Sequence, residues 1–310
     1  MKIIFFGSDD FAATHLQELL KSEHQVVGVV TQPDRAKGRG LQVIPSLVKT
    51  IAVEAKLPVF QPENLKDKFF LDQMKSYNCD LFVVIAYGRI LPQELLQVPY
   101  VCAVNVHGSL LPKYRGAAPI NWAIINGDKE TGISIIKMNA AMDAGDIFSQ
   151  AKIKIEDSDT AASLRVKMAG LGKKLLLKTI DTFEKNTYTL TVQDSKAVTL
   201  APKLTKELGK IDWQKSAPEI HNLVRGLVPW PTAYTQYEGR LLKILETDVA
   251  KADIKGKKPG EVVEITKDAF VVATGADVLV LKKVQPESAK VMDTKSFVAG
   301  HKIAAGFLFD

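Results

Sequence analysis

The chain has 310 residues, 46% of them apolar and 25% charged, the proportions of a folded globular protein of about two domains, and this excludes a disordered chain. No apolar run approaches the ~20 residues needed to cross a bilayer, and the opening segment, followed at once by Asp9 and Asp10, is too short for a signal peptide. The net charge of +6 is shared between the halves, 24 basic to 21 acidic residues before Ala201 and 17 to 14 from there on, so neither half is a polycation and a polyanionic partner is permitted without being required.

Residues 2–6 form an apolar run of buried-strand type, stopped by Gly7. Ser8 or Asp9 then caps a helix whose apolar positions Phe11, Leu16, Leu19 and Leu20 recur at helical spacing. The glycine pattern of a dinucleotide fingerprint is missing from this turn, which argues against a nicotinamide or flavin site. A second strand is predicted at 25–30, a helix at 46–56, an extended segment at 58–60, a helix at 65–77 and a long buried strand at 81–86. Then follow a strand at 101–107, a helix at 118–126, strands at 132–138 and near 147–155, and an amphipathic helix at 159–184. Consecutive apolar strands separated by helices predict a doubly wound, mostly parallel, Rossmann-like α/β domain over residues 1–188. Cys79 and Cys102 are the two cysteines; they exclude a disulfide framework, lack ligand spacing for zinc, and predict a reducing, cytoplasmic compartment.

A polar stretch over 189–206 reads as a linker. Beyond it the texture changes: a short helix at 216–227 ends before Pro229-Trp230-Pro231, and short strands follow at 233–237, 241–245, 262–265, 270–273 and 278–281. Their spacing, with turns at Glu238-Gly239, 258–260 and 275–277, predicts a small OB-like β-barrel over 207–310.

In an open α/β sheet, ligands gather at the carboxyl ends of the strands. Asn105 and His107, two apart on a strand, project onto one face there. An amide donor beside an imidazole suits oxyanion stabilisation and proton transfer, although two polar side chains satisfied by backbone bonds would read the same way. Asp143, on the loop after the next strand, could orient His107; taken alone it reads as a turn former near a glycine. The stretch Asp34-Arg35-Ala36-Lys37-Gly38-Arg39-Gly40 has no apolar periodicity and reads as a flexible, solvated basic loop.

The block His107-Gly108-Ser109-Leu110-Leu111-Pro112, followed by 114–120, resembles the signature of the folate-dependent formyltransferases. Asn105, His107 and Asp143 match the catalytic trio of that family. The opening residues 4–7, the Thr31–Arg35 loop, the 201–213 segment and the carboxy-terminal barrel are similar to the branch of the family that acts on charged initiator tRNA. The resemblance implies transfer of a formyl group from 10-formyltetrahydrofolate, as co-substrate, to the α-amine of methionine on initiator tRNA, by a cytoplasmic monomer with no metal, nicotinamide or membrane. It implies a folate-contacting turn at Ser109, Leu110, Leu111 and Pro112, with residues 82–87 as walls of a pteridine slot. It places Arg39, with Arg35 and Lys37, at the tRNA acceptor end; Lys203, Lys206, Lys210, Lys255, Lys257 and Lys258 could track the tRNA backbone, although each taken alone reads as a solvated lysine. Formyl transfer to a small amine, a sugar nucleotide or phosphoribosyl amine, and hydrolysis of the formyl donor use the same trio; the barrel and the Arg39 loop speak for the larger substrate. His15, His24, His221 and His301 read as incidental histidines, and Trp122, Trp213 and Trp230 as packing residues.

Overall fold

A computed structural model describes residues 1–37, 42–266, 269–301 and 303–310. The chain divides into two compact units: Met1–Gly116 with Thr131–Ile153 and Arg165–Ala201, and Ala117–Glu130 with Lys154–Leu164 and Pro202–Asp310.

In chain order the elements up to Ala201 are β1 (Lys2–Gly7), α1 (Asp10–Leu19), β2 (Gln25–Val30), β3 (Arg35–Lys37), β4 (Gln42–Ile44), α2 (Leu47–Glu54), β5 (Val59–Phe60), α3 (Lys68–Ser76) and β6 (Leu81–Ile85). They continue with α4 (Gln93–Leu96), β7 (Cys102–His107), β8 (Arg115–Gly116), α5 (Pro119–Ile125), β9 (Glu130–Lys137), β10 (Ile147–Lys154), α6 (Ala161–Glu184) and β11 (Leu200–Ala201). The main sheet has the order β10-β9-β7-β6-β1-β2-β5. Its β1–β2, β1–β6, β2–β5 and β6–β7 pairs are parallel, and β9 runs antiparallel to β7. Five successive buried residues in β6 and Ile3–Phe6 in β1 are the signature of strands covered on both faces. Helix starts follow local chemistry: Asp9, Ser46 and Asp67 each accept a backbone N–H from the first turn of α1, α2 and α3. Because the chain leaves β1 in one direction and returns to β6 in the other, the order reverses between them, and the carboxyl ends of β1, β6 and β7 border the switch point.

Arg35 and Lys37 depart from the expected featureless loop. Their backbone pairs with Gln42–Ile44 in a short antiparallel hairpin. Its base is tied down: Asp34 accepts from Lys49 and from Gln61 Nε2 (2.9 Å), while Gln61 also donates to the Gln32 carbonyl (2.9 Å). The Lys49 ammonium beside Asp34 holds that carboxyl below its ordinary range.

The second unit continues with α7 (Ala217–Leu227), β12 (Ala233–Tyr237), β13 (Arg240–Ala250), β14 (Val262–Ile265), β15 (Phe270–Ala273), β16 (Val278–Pro286), β17 (Met292–Asp293) and α8 (Thr294–Gly300). A reciprocal capping box between Ser216 and Glu219 starts α7. The strands form one antiparallel sheet, β12-β13-β16-β15-β14, with β17 on β16. The last residues reach both edges: Phe309 N–H donates to the Gly260 carbonyl, and Thr235 of β12 donates to the Asp310 carbonyl. β13 is longer than the 241–245 expected because register shifts near Glu246 let it bend and keep pairing to Ala250. Trp213, Tyr237, Phe270 and Phe297 lie in the core, whereas Trp230, expected to pack, is 51% exposed. In this unit α5 lies against α7: Asn121 donates to the Gly226 carbonyl (2.8 Å), and Trp122 Nε1 to the Pro202 carbonyl (2.9 Å).

Candidate active site

β7 carries an apolar run broken at two alternate positions, and pleating puts Asn105 and His107 on the same face at the strand's carboxyl end. Opposite them in the flanking strands are Val84 of β6 and Ile136 for Asn105, and Ser134 for His107. His107 is only 5% exposed, so its ring nitrogens need partners. Nε2 lies 2.9 Å from the Tyr114 carbonyl oxygen, which can only accept, so Nε2 carries the hydrogen. Nδ1 faces Asp143 Oδ1 at 3.6 Å.

Asp143 is brought there by the loop between β9 and β10. Its backbone is left-handed (φ 51°), a conformation an aspartate tolerates when neighbours hold it. Oδ1 accepts from Asn105 Nδ2 at 3.2 Å and Oδ2 from the Gly116 N–H at 2.9 Å. Amide, imidazole and carboxylate therefore converge on one point. Two glycines permit this convergence. A Cβ on Gly116 (φ 126°) would lie 2.6 Å from the Ala201 carbonyl oxygen, across the β8–β11 pair, and one on Gly145 would lie 1.6 Å from that of Lys137.

Two residues at this site, Gln193 and Thr199, escaped sequence reasoning. Gln193, in the stretch read as a linker, donates through Nε2 to the carbonyls of Asp143 (2.8 Å) and Gly145 (2.7 Å). Its Oε1 accepts from Arg115 Nε (3.0 Å) and Nη2 (2.7 Å). Thr199 Oγ1 accepts the Tyr114 N–H at 2.8 Å. Neither residue type at its position signals a site; only the fold brings the two to it.

The turn at Ser109, Leu110, Leu111 and Pro112 continues from β7, and its polar groups are bonded within the protein. Ser109 Oγ donates to the Lys113 carbonyl (2.6 Å), the Leu111 N–H to Ser134 Oγ (3.0 Å), and Gln150 to the Leu111 carbonyl (2.9 Å). These bonds hold the turn in place. Phe82, Val84, Ile85 and Tyr87 are buried, while Ala86 and Gly88, both at positive φ, leave backbone exposed at the end of β6. Arg39 lies outside the described residues. Lys203, Lys206, Lys210, Lys255, Lys257 and Lys258 are exposed, and Lys257 is paired with Glu261 at 2.9 Å. Among the described residues no cluster of His, Cys, Asp or Glu is placed to hold a metal, and no helix is long and apolar enough to cross a membrane. Of the remaining histidines, His15 Nδ1 donates to the Phe11 carbonyl and His221 bonds Thr247.

The family described as formyl transferase matches residues 1–180, and its carboxy-terminal domain matches residues 203–302. A methionyl-tRNA formyltransferase of Alkaliphilus oremlandii is 43% identical over 99% of this chain and 98% of its own length. The methionyl-tRNA formyltransferase of Acetivibrio thermocellus is 44% identical with the same coverage, and that of Desulfotalea psychrophila is 45% identical over 98% and 94%. Among solved structures, the sugar 3N-formyltransferase WlaRD, in the presence of dTDP and 5-N-formyl-THF, superposes with a TM-score of 0.69 at 21% identity, covering 94% of this chain and 99% of its own. An N-formyltransferase from Helicobacter canadensis, with folinic acid and dTDP-3-aminofucose, gives 0.67 at 20% identity over 92% and 99%. At that identity the structures share the fold. The signature residues around His107, the two family domains and the full-length relatives agree, and the chain belongs to the methionyl-tRNA formyltransferase family.

Proposed function

We infer that this chain transfers the formyl group of 10-formyltetrahydrofolate to the α-amine of methionine carried by initiator tRNA, giving N-formylmethionyl-tRNA, and that it acts in the cytoplasm as a monomer. The observation that carries the chemistry is the joint approach of Asn105 and His107 to Asp143. The full-length identity to methionyl-tRNA formyltransferases carries the choice of acceptor.

Attack of the amine on the formyl carbon forms one C–N bond, and release of the folate breaks another. Between them the formyl oxygen carries negative charge. Asn105 supplies an N–H donor to that oxygen, and a single donor of this kind is worth ~10²–10³ in rate. The attacking nitrogen must lose a proton and the leaving nitrogen must gain one. His107, oriented by Asp143, takes the proton of the attacking nitrogen and gives one to the leaving nitrogen, so the two transfers balance. Asp143 orients the ring and opposes its charge. Ser109, Leu110, Leu111 and Pro112 serve as the rigid wall against which the folate lies, beside the end of β6. Arg39, Arg35 and Lys37 meet the acceptor end of the tRNA, and Lys203 and Lys206 neutralise its phosphates.

Purified protein mixed with formyl-labelled donor and charged initiator tRNA should place the label on the methionyl amine. Label released as formate, or passed to a free sugar amine in preference to charged tRNA, would overturn the assignment.

A further inference from the structure

Gln193 is 8% exposed, and all four hydrogen-bonding positions of its amide are engaged. Both N–H groups go to one loop, at the carbonyls of Asp143 and Gly145. Both oxygen lone pairs go to one side chain, Arg115. Arg115 immediately precedes Gly116, whose N–H donates to Asp143 Oδ2. The amide therefore bridges the segment that carries the carboxylate and the segment that supplies its backbone donor, without touching the carboxylate itself.

We propose that Gln193 is a positioning residue for the transfer reaction: it sets the distance of Asp143 from His107 and Asn105 by clamping the 143–145 loop to the Arg115-Gly116 strand. The proposal rests on the catalytic reading of Asp143 given above. The left-handed backbone at Asp143 is a conformation that relaxes when its carbonyl loses a partner, and the loop has an exposed neighbour, Met142, through which it can move into solvent. The carboxylate would then leave its positions 3.2 Å from the amide and 3.6 Å from the ring. Errors of about 1 Å in reacting geometry cost as much as ~10²-fold in rate.

The test uses the full-length protein. Gln193→Ala should lower kcat about 10–100-fold while the KM values for charged initiator tRNA and for the formyl donor stay within about 3-fold, with a melting temperature still above that of the assay. Gln193→Glu keeps the shape and the acceptor for Arg115 but turns a carboxylate towards two carbonyls, so its kcat should fall as far; it also serves as the readout if the alanine variant does not fold. In an Asp143→Asn background, Gln193→Ala should cost less than about 2-fold more, because both substitutions remove the same placed group. Three results would overturn the inference while leaving Asp143 in its role: wild-type kcat in Gln193→Ala, restoration by glutamate, or a loss that multiplies in full with that of Asp143→Asn. Near-wild-type turnover of Asp143→Asn alone would instead remove the reading of Asp143, and the inference with it.

Discussion

His107 combines two contacts on one ring. One ring nitrogen is fixed by a backbone carbonyl, and the other is aimed at a carboxylate beyond normal hydrogen-bond length. A ring held from behind and loosely engaged in front is oriented yet free to exchange a proton. His107→Ala removes the proton carrier and should lower kcat by about 10²–10⁴-fold, with tRNA affinity changed little. Asp143→Asn keeps the shape but replaces the carboxylate facing the ring with an amide, and should cost about 10²-fold or more. Single-turnover rates with saturating tRNA measure both; turnover near the wild-type level in both variants would remove the catalytic assignment. His15 shows the contrast. It is as buried as His107, and its Nε2 has no hydrogen-bond partner. Burial alone does not separate the two rings; a facing carboxylate does.

At the scale of elements, the consequence of His15 is for stability. It lies on α1, where a Cβ on Gly172 of α6 would come within 2.7 Å of its Nε2. Burial pushes its pKa down to about 4 from an ordinary value of 6.5. The unfolded chain therefore binds the proton more tightly than the folded one. The resulting stability is fully present above pH 6.5 and is lost as the pH falls towards 4, by up to about 3 kcal/mol. Urea midpoints of the wild type and of His15→Leu, compared across that window, should diverge towards acid as the wild type alone loses this stability; parallel pH profiles would show that His15 titrates normally in the fold. β7 makes the complementary point. Its alternation turns Asn105 and His107 to one face by the period of any strand, so the pairing of those two side chains was legible in the sequence. The loop that returns Asp143 to them was not, because its path depends on two close backbone approaches at Gly116 and Gly145, and on Gln193 fifty residues away.

For the whole molecule, the modest excess of +6 means that a polyanionic substrate must be held by local clusters rather than by overall charge. Arg39→Ala should raise the KM for charged tRNA and leave that for the formyl donor unchanged; an equal rise in both would give the loop another task. Lys203→Gln with Lys206→Gln should weaken tRNA binding and reduce the salt slope of log K by about 1 for each phosphate no longer neutralised. An unchanged slope would remove these lysines from the interface. Substitutions are the better probe than deletion of residues 207–310, because α5 packs against α7 within one compact unit and a cut would strip its partner away.

The linear pattern determined most of the strands and helices, that a parallel, Rossmann-like sheet comes first and an antiparallel domain second, and which three side chains are the candidates for the chemistry. Those features follow from the periods of apolar residues, from a contiguous signature at 105–112 and from the short loop that holds Asp143. Tertiary structure decided what holds the three together. It turned the polar stretch after α6 into a brace, brought Thr199 and Gln193 to the back of the site, and gave the basic loop at Arg35 a paired base anchored by Asp34 and Lys49. Hydrogen bonds between residues far apart in sequence leave no periodic trace in composition, since any buried amide or hydroxyl can make them and only the folded backbone fixes which partner it meets.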